Sequence, residues 1–440
     1  MRYLPHSAAD RRAMLASIGL SSVDELFSDI PRAVTDAFRP LGLSPRSEQE
    51  VFAELTELAQ RNGAAGTACF LGGGIYDHYV PSVVGHVLSR SEFYTAYTPY
   101  QPEVSQGTLT AMFEFQTLIA ELTGMEIANA SLYDGATALA EAALMAERLK
   151  HRGRIAVARS LFANVRRVLD TYCWAGGIEV VELPYLPSGR CDLSHVPGDV
   201  SAIVLQSPNA FGVIEALEGV KERVGDALWI VSVHPLSLGI LAPPGAFGAD
   251  AVVGEGQPLG LTMSFGGPLL GLFATRAAYL RQMPGRVSGR TVDAAGNVGY
   301  TMAAQTREQH IRRERATSNV CTNSALCALA ATVYLAAVGA GGLRRVAELN
   351  AEKAHYLAGR IAAIDGFDMA FSGPFFNEFV VRVPGDPAEL HRKVLDAGIL
   401  VESPDSLRPY GLDDALRIAV TEKRTRAELD RLVDALRGAT

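Results

Sequence analysis

The runs Ile155-Ala-Val-Ala158, Ala202-Ile-Val-Leu205, Leu228-Trp-Ile-Val-Ser-Val233 and Ala251-Val-Val253 decide how this chain folds. Each is short, apolar and rich in β-branched residues, as strands buried on both faces are. Between them, with a further strand-like run from Ile178 to Leu183, lie two helix-like stretches, Leu161 to Tyr172 and Val213 to Val224. Strand and helix in alternation mean crossover connections, and so a mainly parallel sheet covered on both sides.

Outward from this centre, residues 64–150 open with a loop-rich segment containing Gly72-Gly73-Gly74 and many tyrosines. Helical patterns follow at Gly107 to Thr123 and Ala136 to Lys150, with Gly124 and Gly153 as expected C-caps. Before them lies a helical arm, where Ser7-x-x-Asp10, Ser22-x-x-Glu25 and Ser47-x-x-Glu50 each fit a capping box. In the third of these segments Val51, Phe52, Leu55, Leu58 and Ala59 share one apolar face. Towards the C-terminus, helices at Leu343 to Ile364 and Pro387 to Ala397 alternate with strands at Glu378 to Val383 and Leu416 to Val420, before a last charged helix. The expected division is an arm at 1–63, a large α/β domain at 64–325 and a small α+β domain at 326–440.

A chain of 440 residues, 48% hydrophobic and 20% charged, is too apolar for disorder and long enough for a large core. Its net charge of −8 argues against a nucleic-acid surface, which needs a dominant basic field. The five cysteines are odd in number and scattered, suggesting neither a disulfide framework nor a zinc site, and fit a reducing cytoplasm. Arg11 and Arg12 precede no apolar stretch or small-residue cleavage site, so no secretory signal is expected. The uncharged run from Ala325 to Leu343 is dominated by alanine and glycine, weak drivers of membrane insertion, and reads as a helix buried between domains.

Common nucleotide and hydrolase motifs are missing: Gly339-Ala-Gly-Gly342 has the wrong spacing for a dinucleotide site, and there is no Walker lysine, HExxH or G-x-S-x-G. Asp134-Gly135-Ala136-Thr137 opens a helix whose free N–H groups either hold a phosphate or are simply capped by Asp134. The loop from Ser91 to Gly107, with Tyr94, Tyr97 and Tyr100 beside two prolines, presents hydroxyls to a ligand or packs at a subunit contact. The basic cluster from Arg307 to Arg315 offers Arg307 and Arg312 to an anion, or forms a solvated face with Glu308 paired to Arg312. The neutral tail Thr317-Ser318-Asn319 follows it.

Five motifs occur in order: Tyr97-Thr-Pro-Tyr-Gln-Pro-Glu-Val-Ser-Gln-Gly107, Asn129-Ala-Ser-Leu-Tyr-Asp-Gly-Ala-Thr137, Gly254-Glu-Gly-Gln-Pro258, Ser264-Phe-Gly-Gly267, and Gln305 to Arg313 continuing through Ala316-Thr-Ser-Asn-Val-Cys-Thr322. Together they resemble the glycine cleavage system P-protein family, in its N-terminal half, along essentially the whole chain. The resemblance implies the aminotransferase-like, pyridoxal-phosphate (PLP) type I fold and a part in glycine dehydrogenase (decarboxylating) activity. It also implies a PLP-bearing subunit 2 that decarboxylates glycine and passes the aminomethyl group to the lipoyl arm of the H-protein, a transient partner. Neither nucleic acid nor membrane is an expected partner.

Such a site needs a Schiff-base lysine in a loop after a sheet strand and an aspartate at a strand end to keep the pyridine nitrogen protonated. Alignment with the family's lysine-bearing half puts Pro258 at the lysine position and Val233 at the aspartate position. The five lysines, Lys150, Lys221, Lys353, Lys393 and Lys423, are all expected on surfaces, and Leu161-Phe162 stands where the family commonly has His-Pro. This chain is therefore expected to bind no cofactor covalently and to be inactive alone, with Tyr94, Tyr97, Tyr100, Ser318 and Asn319 as candidates for shaping the partner's pocket or the lipoyl channel. Two alternatives are a stand-alone PLP enzyme using an atypical lysine and a purely structural or regulatory partner.

Overall fold

Seven strands form the central sheet: β1 (Ile127–Ala128), β2 (Arg154–Ala158), β3 (Glu179–Leu183), β4 (Ala202–Ser207), β5 (Leu228–Val233), β6 (Ala251–Glu255) and β7 (Gly271–Thr275). Their order is β1-β7-β6-β5-β4-β2-β3 in the computed structural model, which describes residues 5–64 and 66–439. The pairs from β3 through β6 are parallel, while β7 runs antiparallel to both its neighbours. β1 and β7 are the strands of this sheet that the sequence reading missed. The loop after β6 returns without a helix, and that direct return reverses β7.

Residues 1–66 form one unit and 67–440 another. In the first, α1 (Ala8–Ser17) and α2 (Glu48–Gln60) begin with the expected boxes, Ser7 with Asp10 and Ser47 with Glu50. The box expected at Ser22 and Glu25 does not form: Glu25 bonds mainly to Ser21, and only a short 3-10 turn, Asp24–Phe27, follows.

In the second unit the helices of ten or more residues are α3 (Gln106–Thr123), α4 (Gly135–Lys150), α5 (Ala163–Ala175), α6 (Ala325–Ile361), α7 (Pro387–Asp396) and α8 (Arg426–Ala439). Alternate strand residues face opposite layers, as a pleated strand requires. Ile155, Val157, Val204 and Val253 pack with Leu139, Ala143 and Met145 of α4 and Leu169 of α5. Ala156, Ile203, Trp229 and Val252 pack on the other side with Phe115 and Ile119 of α3 and the first half of α6. Gly124 caps α3 at φ 68° as expected, whereas α4 ends at His151, φ 53°, short of Gly153.

The expected helix from Val213 shrinks to Val220–Val224. Asn209 Oδ1 instead accepts the N–H groups of Phe211 and Val213, and Ile214 N–H bonds to Pro374, so turn hydrogen bonds replace the helical ones. A hairpin of β8 (Val287–Val292) and β9 (Val298–Ala303) also escaped the sequence reading.

The small domain builds on an antiparallel sheet of β10 (Asp368–Met369), β11 (Glu378–Arg382) and β12 (Ala415–Ala419). Its core includes Ala354, Leu357 and Ile361 of α6, so α6 serves both domains and bends between them at Gly339, where φ is 62°. Ala68–Cys69 pairs with Ile399–Leu400, and Phe70 joins this core as well. The segment just after residue 66 thus belongs with the small domain rather than the large one.

Candidate functional site

A cavity of about 250 Å3 opens at the carboxyl ends of β4, β5 and β6, facing the start of α4. This is where parallel α/β sheets place their ligands, because strand ends and helix N-termini converge there. Val233, the last residue of β5, and Pro258, in the loop after β6, both line it. So do Gly135 at the start of α4 and Phe162 at the start of α5. The two positions singled out for a lysine and an aspartate therefore share one cavity, with a ring and an isopropyl group in place of an amine and a carboxylate.

No lysine reaches it. Lys221 Nζ bonds to Asp250 Oδ2 at 2.6 Å, and Lys423 Nζ to Asp77 Oδ1 at 2.5 Å. Lys150 lies 3.6 Å from Asp226, Lys393 3.3 Å from Glu389, and Lys353 donates to the carbonyls of Glu422 and Arg424. Lys221 differs from the expected surface residue, since its partner Asp250 is buried and also accepts the N–H of Trp229.

The α4 end of the cavity carries a carboxylate that sequence reasoning passed over. Glu255, the last residue of β6, accepts Gly135 N–H on Oε2 at 2.9 Å, and Gln257 and Leu270 N–H on Oε1, each at 2.9 Å. Burial pushes its carboxyl up to about 7 against the pull of these donors. Asp134 Oδ1 accepts Thr137 N–H at 2.7 Å as the N-cap. The candidate anion residues Asp134, Gly135 and Thr137 are thus engaged from within the chain. A Cβ on Gly135 would stand 2.7 Å from the Glu255 nitrogen, so only glycine lets α4 start this close to β6.

Arg307 and Arg312 stand elsewhere. Arg307 is buried and gives its guanidinium to the carbonyls of Met283, Gly285 and Ala304, while the exposed Arg312 donates to Thr306 O. Glu308 lies 3.7 Å from Arg286 instead of pairing with Arg312. The cluster is thus split: Arg307 and Glu308 are buried, whereas Arg312, Arg313 and Arg315 form a solvated face without the expected Glu308–Arg312 pair.

One wall of the cavity leads to a buried polar group. Tyr76 OH donates to Glu378 Oε2 at 3.1 Å, and Gly73 N–H to Glu378 Oε1 at 2.7 Å. Arg417 lies 3.4 Å from Glu378, donates to Glu402 and to Ala210 O, and its guanidinium sits 5.5 Å from the Phe162 ring centroid. Burial pushes the Glu378 carboxyl up to about 7, opposed by Arg417. His234, next to Val233, accepts Leu236 N–H on Nδ1 and is kept neutral by burial, with His78 adding to the effect. Gln257 bonds to both N–H and C=O of Tyr76, fastening the glycine-rich segment to the loop after β6. These residues are far apart in sequence; the sequence reading touched Gly73, Phe162 and Gln257 but gave no site role to Glu378, Arg417 or His234.

The tyrosine loop lines a second cavity of about 190 Å3, with Tyr94 and Tyr97 opposite Thr322 and Asn323. Tyr97 is 86% exposed. Tyr100 OH accepts from Arg286, which also donates to Thr98 and Thr322 at 3.0 Å each, so this buried arginine joins the loop to the segment after Asn319. Ser318 Oγ accepts Val320 N–H, and Asn319 is exposed. None of Tyr94, Tyr97, Tyr100, Ser318 and Asn319 lines the first cavity.

The residues at that first cavity do not fit PLP. A proline stands where an imine-forming amine is needed, a valine where a carboxylate would meet the ring nitrogen, and the helix-start N–H is bonded to Glu255.

Against known proteins, the profile of the glycine cleavage system P-protein family matches residues 1–436. The chain is 52% identical to the probable glycine dehydrogenase (decarboxylating) subunit 1 of Carboxydothermus hydrogenoformans, over 100% of both chains. It is 51% identical to the Thermotoga maritima protein of the same description, over 99% of both. A crystal structure of glycine decarboxylase (P-protein) of the glycine cleavage system, in inhibitor-bound form, superposes with TM-score 0.92 at 43% identity, over 100% of both chains. The fold alone is shared with a Burkholderia pseudomallei sphingosine-1-phosphate lyase, TM-score 0.64 at 15% identity over 92% of both chains. The architecture is thus the PLP-dependent type I fold, and the chain belongs to the glycine cleavage system P-protein family.

Proposed function

We propose that this chain is subunit 1 of a glycine dehydrogenase (decarboxylating), a half that keeps the type I fold without its chemistry and works only with a second, PLP-bearing subunit. Glycine is the substrate, the lipoyl arm of the H-protein is the acceptor, and the assembly is cytoplasmic. The observation that carries the reading is the shared cavity in which Pro258 and Val233 replace the lysine and aspartate.

The tyrosine loop supports a role for this chain at its partner. Tyr97 presents a ring and hydroxyl to solvent beside a cavity, while Arg286 holds Tyr100 and Thr98 in place. Tyr94, Tyr97 and Tyr100, with Ser318 and Asn319, are the residues proposed to shape the partner's pocket or the lipoyl channel. If Tyr97→Phe and Tyr100→Phe both leave the mixed enzyme at wild-type activity, the tyrosine hydroxyls have no such role.

The test is an absorption spectrum of the purified chain with PLP, before and after borohydride reduction, repeated with the partner added. No reducible adduct alone, with glycine-dependent CO2 exchange only in the mixture, is the expected result. A specific adduct on one of the five lysines, accompanied by activity, would make the chain an enzyme in its own right. A partner fully active without this chain would leave it a structural or regulatory role.

A further inference from the structure

Three main-chain N–H groups from separate places in the chain meet on one side chain. Gly135 supplies the first from the start of α4, Gln257 the second from the loop after β6, and Leu270 the third from just before β7. Convergent amide donors at a helix start form an anion cradle. Here the anion is built in.

We infer that Glu255 is the residue that closes this chain to a phosphorylated cofactor, its carboxylate holding the donors that a phosphate would need. The inference rests on the reading that this chain carries no PLP, and it names what excludes it.

Loss of the lysine does not account for exclusion by itself. An amine at position 258 forms or breaks an imine, whereas a phosphate is held by N–H donors and the helix dipole. A cavity with free donors would still retain a phosphorylated ring without covalent attachment. Space and charge here both oppose a second anion. The start of α4 lies so close to β6 that a Cβ on Gly135 would meet Glu255 backbone atoms at 2.7 and 2.9 Å. Among the described residues neither lysine nor arginine lines the cavity, and an entering phosphate would meet the carboxylates of Asp134 and Glu255. With Glu255 shortened, Asp134 still caps Thr137, and three donors are released.

The test uses the full chain with Glu255→Ala and Glu255→Ser, the serine variant keeping one acceptor so that folding is disturbed less. Thermal unfolding is followed in chloride, formate and inorganic phosphate at matched ionic strength, and phosphate binding is measured by equilibrium dialysis. The wild type is expected to be indifferent to the anion. Both variants should unfold earlier in chloride and recover in formate and in phosphate, with dissociation constants on the order of 10 mM, at least about tenfold tighter than the wild type.

Recovery in neither anion overturns the cradle, and recovery in formate alone overturns Glu255 as the barrier to phosphate. Phosphate binding by the wild type equal to that of the variants overturns it as well. If instead the wild type forms a reducible adduct with PLP, the underlying reading of the chain as cofactor-free fails, which the anion series distinguishes from failure of the inference alone.

Discussion

Replacing Arg417 with methionine tests whether the buried charges beside the cavity hold the two domains of the second unit together. Arg417 is 4% exposed, and its guanidinium is shared by Glu402, Glu378 and Ala210 O, reaching from β12 of the small domain to the loop after β4. Methionine keeps the packing of the stem and deletes the charge. Glu402 retains some water, but Glu378, 2% exposed, is left with only Tyr76 OH and Gly73 N–H. Stranding a buried charge costs about 3–5 kcal/mol.

The Glu378 carboxyl relieves part of this by taking up a proton, so the loss depends on pH. With the arginine present the group titrates at about 7, above its ordinary 4.5. A raised carboxyl contributes stability below its unfolded pKa and loses it as pH rises through the folded value. Removing Arg417 carries the folded value higher still. Between pH 6 and 8 the variant should therefore lose about 1.4 kcal/mol more than the wild type does. Urea midpoints at the two pH values measure this, and Glu378→Gln added to Arg417→Met should restore part of the midpoint at pH 8. Equal losses at pH 6 and 8, or a double variant no better than the single one, would refute the argument.

Gly212→Ala should be severe, at least about 3 kcal/mol by urea unfolding, because φ is +76° and the new Cβ would lie 1.6 Å from the Glu378 carbonyl oxygen. Gly177→Ala is its control: φ is +66° with nothing within 4 Å, so only the backbone term of roughly 1 kcal/mol is expected. Arg307→Ala leaves the carbonyls of Met283 and Gly285 without their donor, while Ala304 O keeps the main-chain N–H of residue 307, and should lower stability by about 2–3 kcal/mol, against within about 0.5 kcal/mol for Arg312→Ala, both read from thermal unfolding. Buried Glu215, held by Asn209 and Cys191 N–H, is pushed by burial from 4.5 to about 7, so Glu215→Gln should flatten the fall in stability between pH 4.5 and 7 by roughly 3 kcal/mol.

The parts of the fold legible in the sequence were those carried by local periodicity. The strands from Arg154 to Glu255 and the helices α3, α4 and α5 follow from apolar spacing, because each buries a face whose period its backbone geometry dictates. β1, β7 and the β8–β9 hairpin were not legible: β1 is two residues long, and Gly271-Leu-Phe-Ala-Thr275 lacks the valines and isoleucines that mark β2 to β6. Asn209 shows local side-chain chemistry defeating apolar spacing, since its turn takes the N–H groups that a helix from Val213 would have used.

Of the site, the sequence by itself determined what is absent: no lysine follows β6 at the expected position, and Pro258 and Val233 cannot form an imine or an ion pair whatever their surroundings. Those are properties of residue type. Only the tertiary structure decided what took the place of the missing groups. Glu255 in the cradle with Gly135 and Leu270, Glu378 with Tyr76 and Arg417, and Arg286 beneath the tyrosine loop all join residues distant in the chain. A carboxylate's role follows from the donors that reach it and the water that does not, and both are set by how the chain closes on itself.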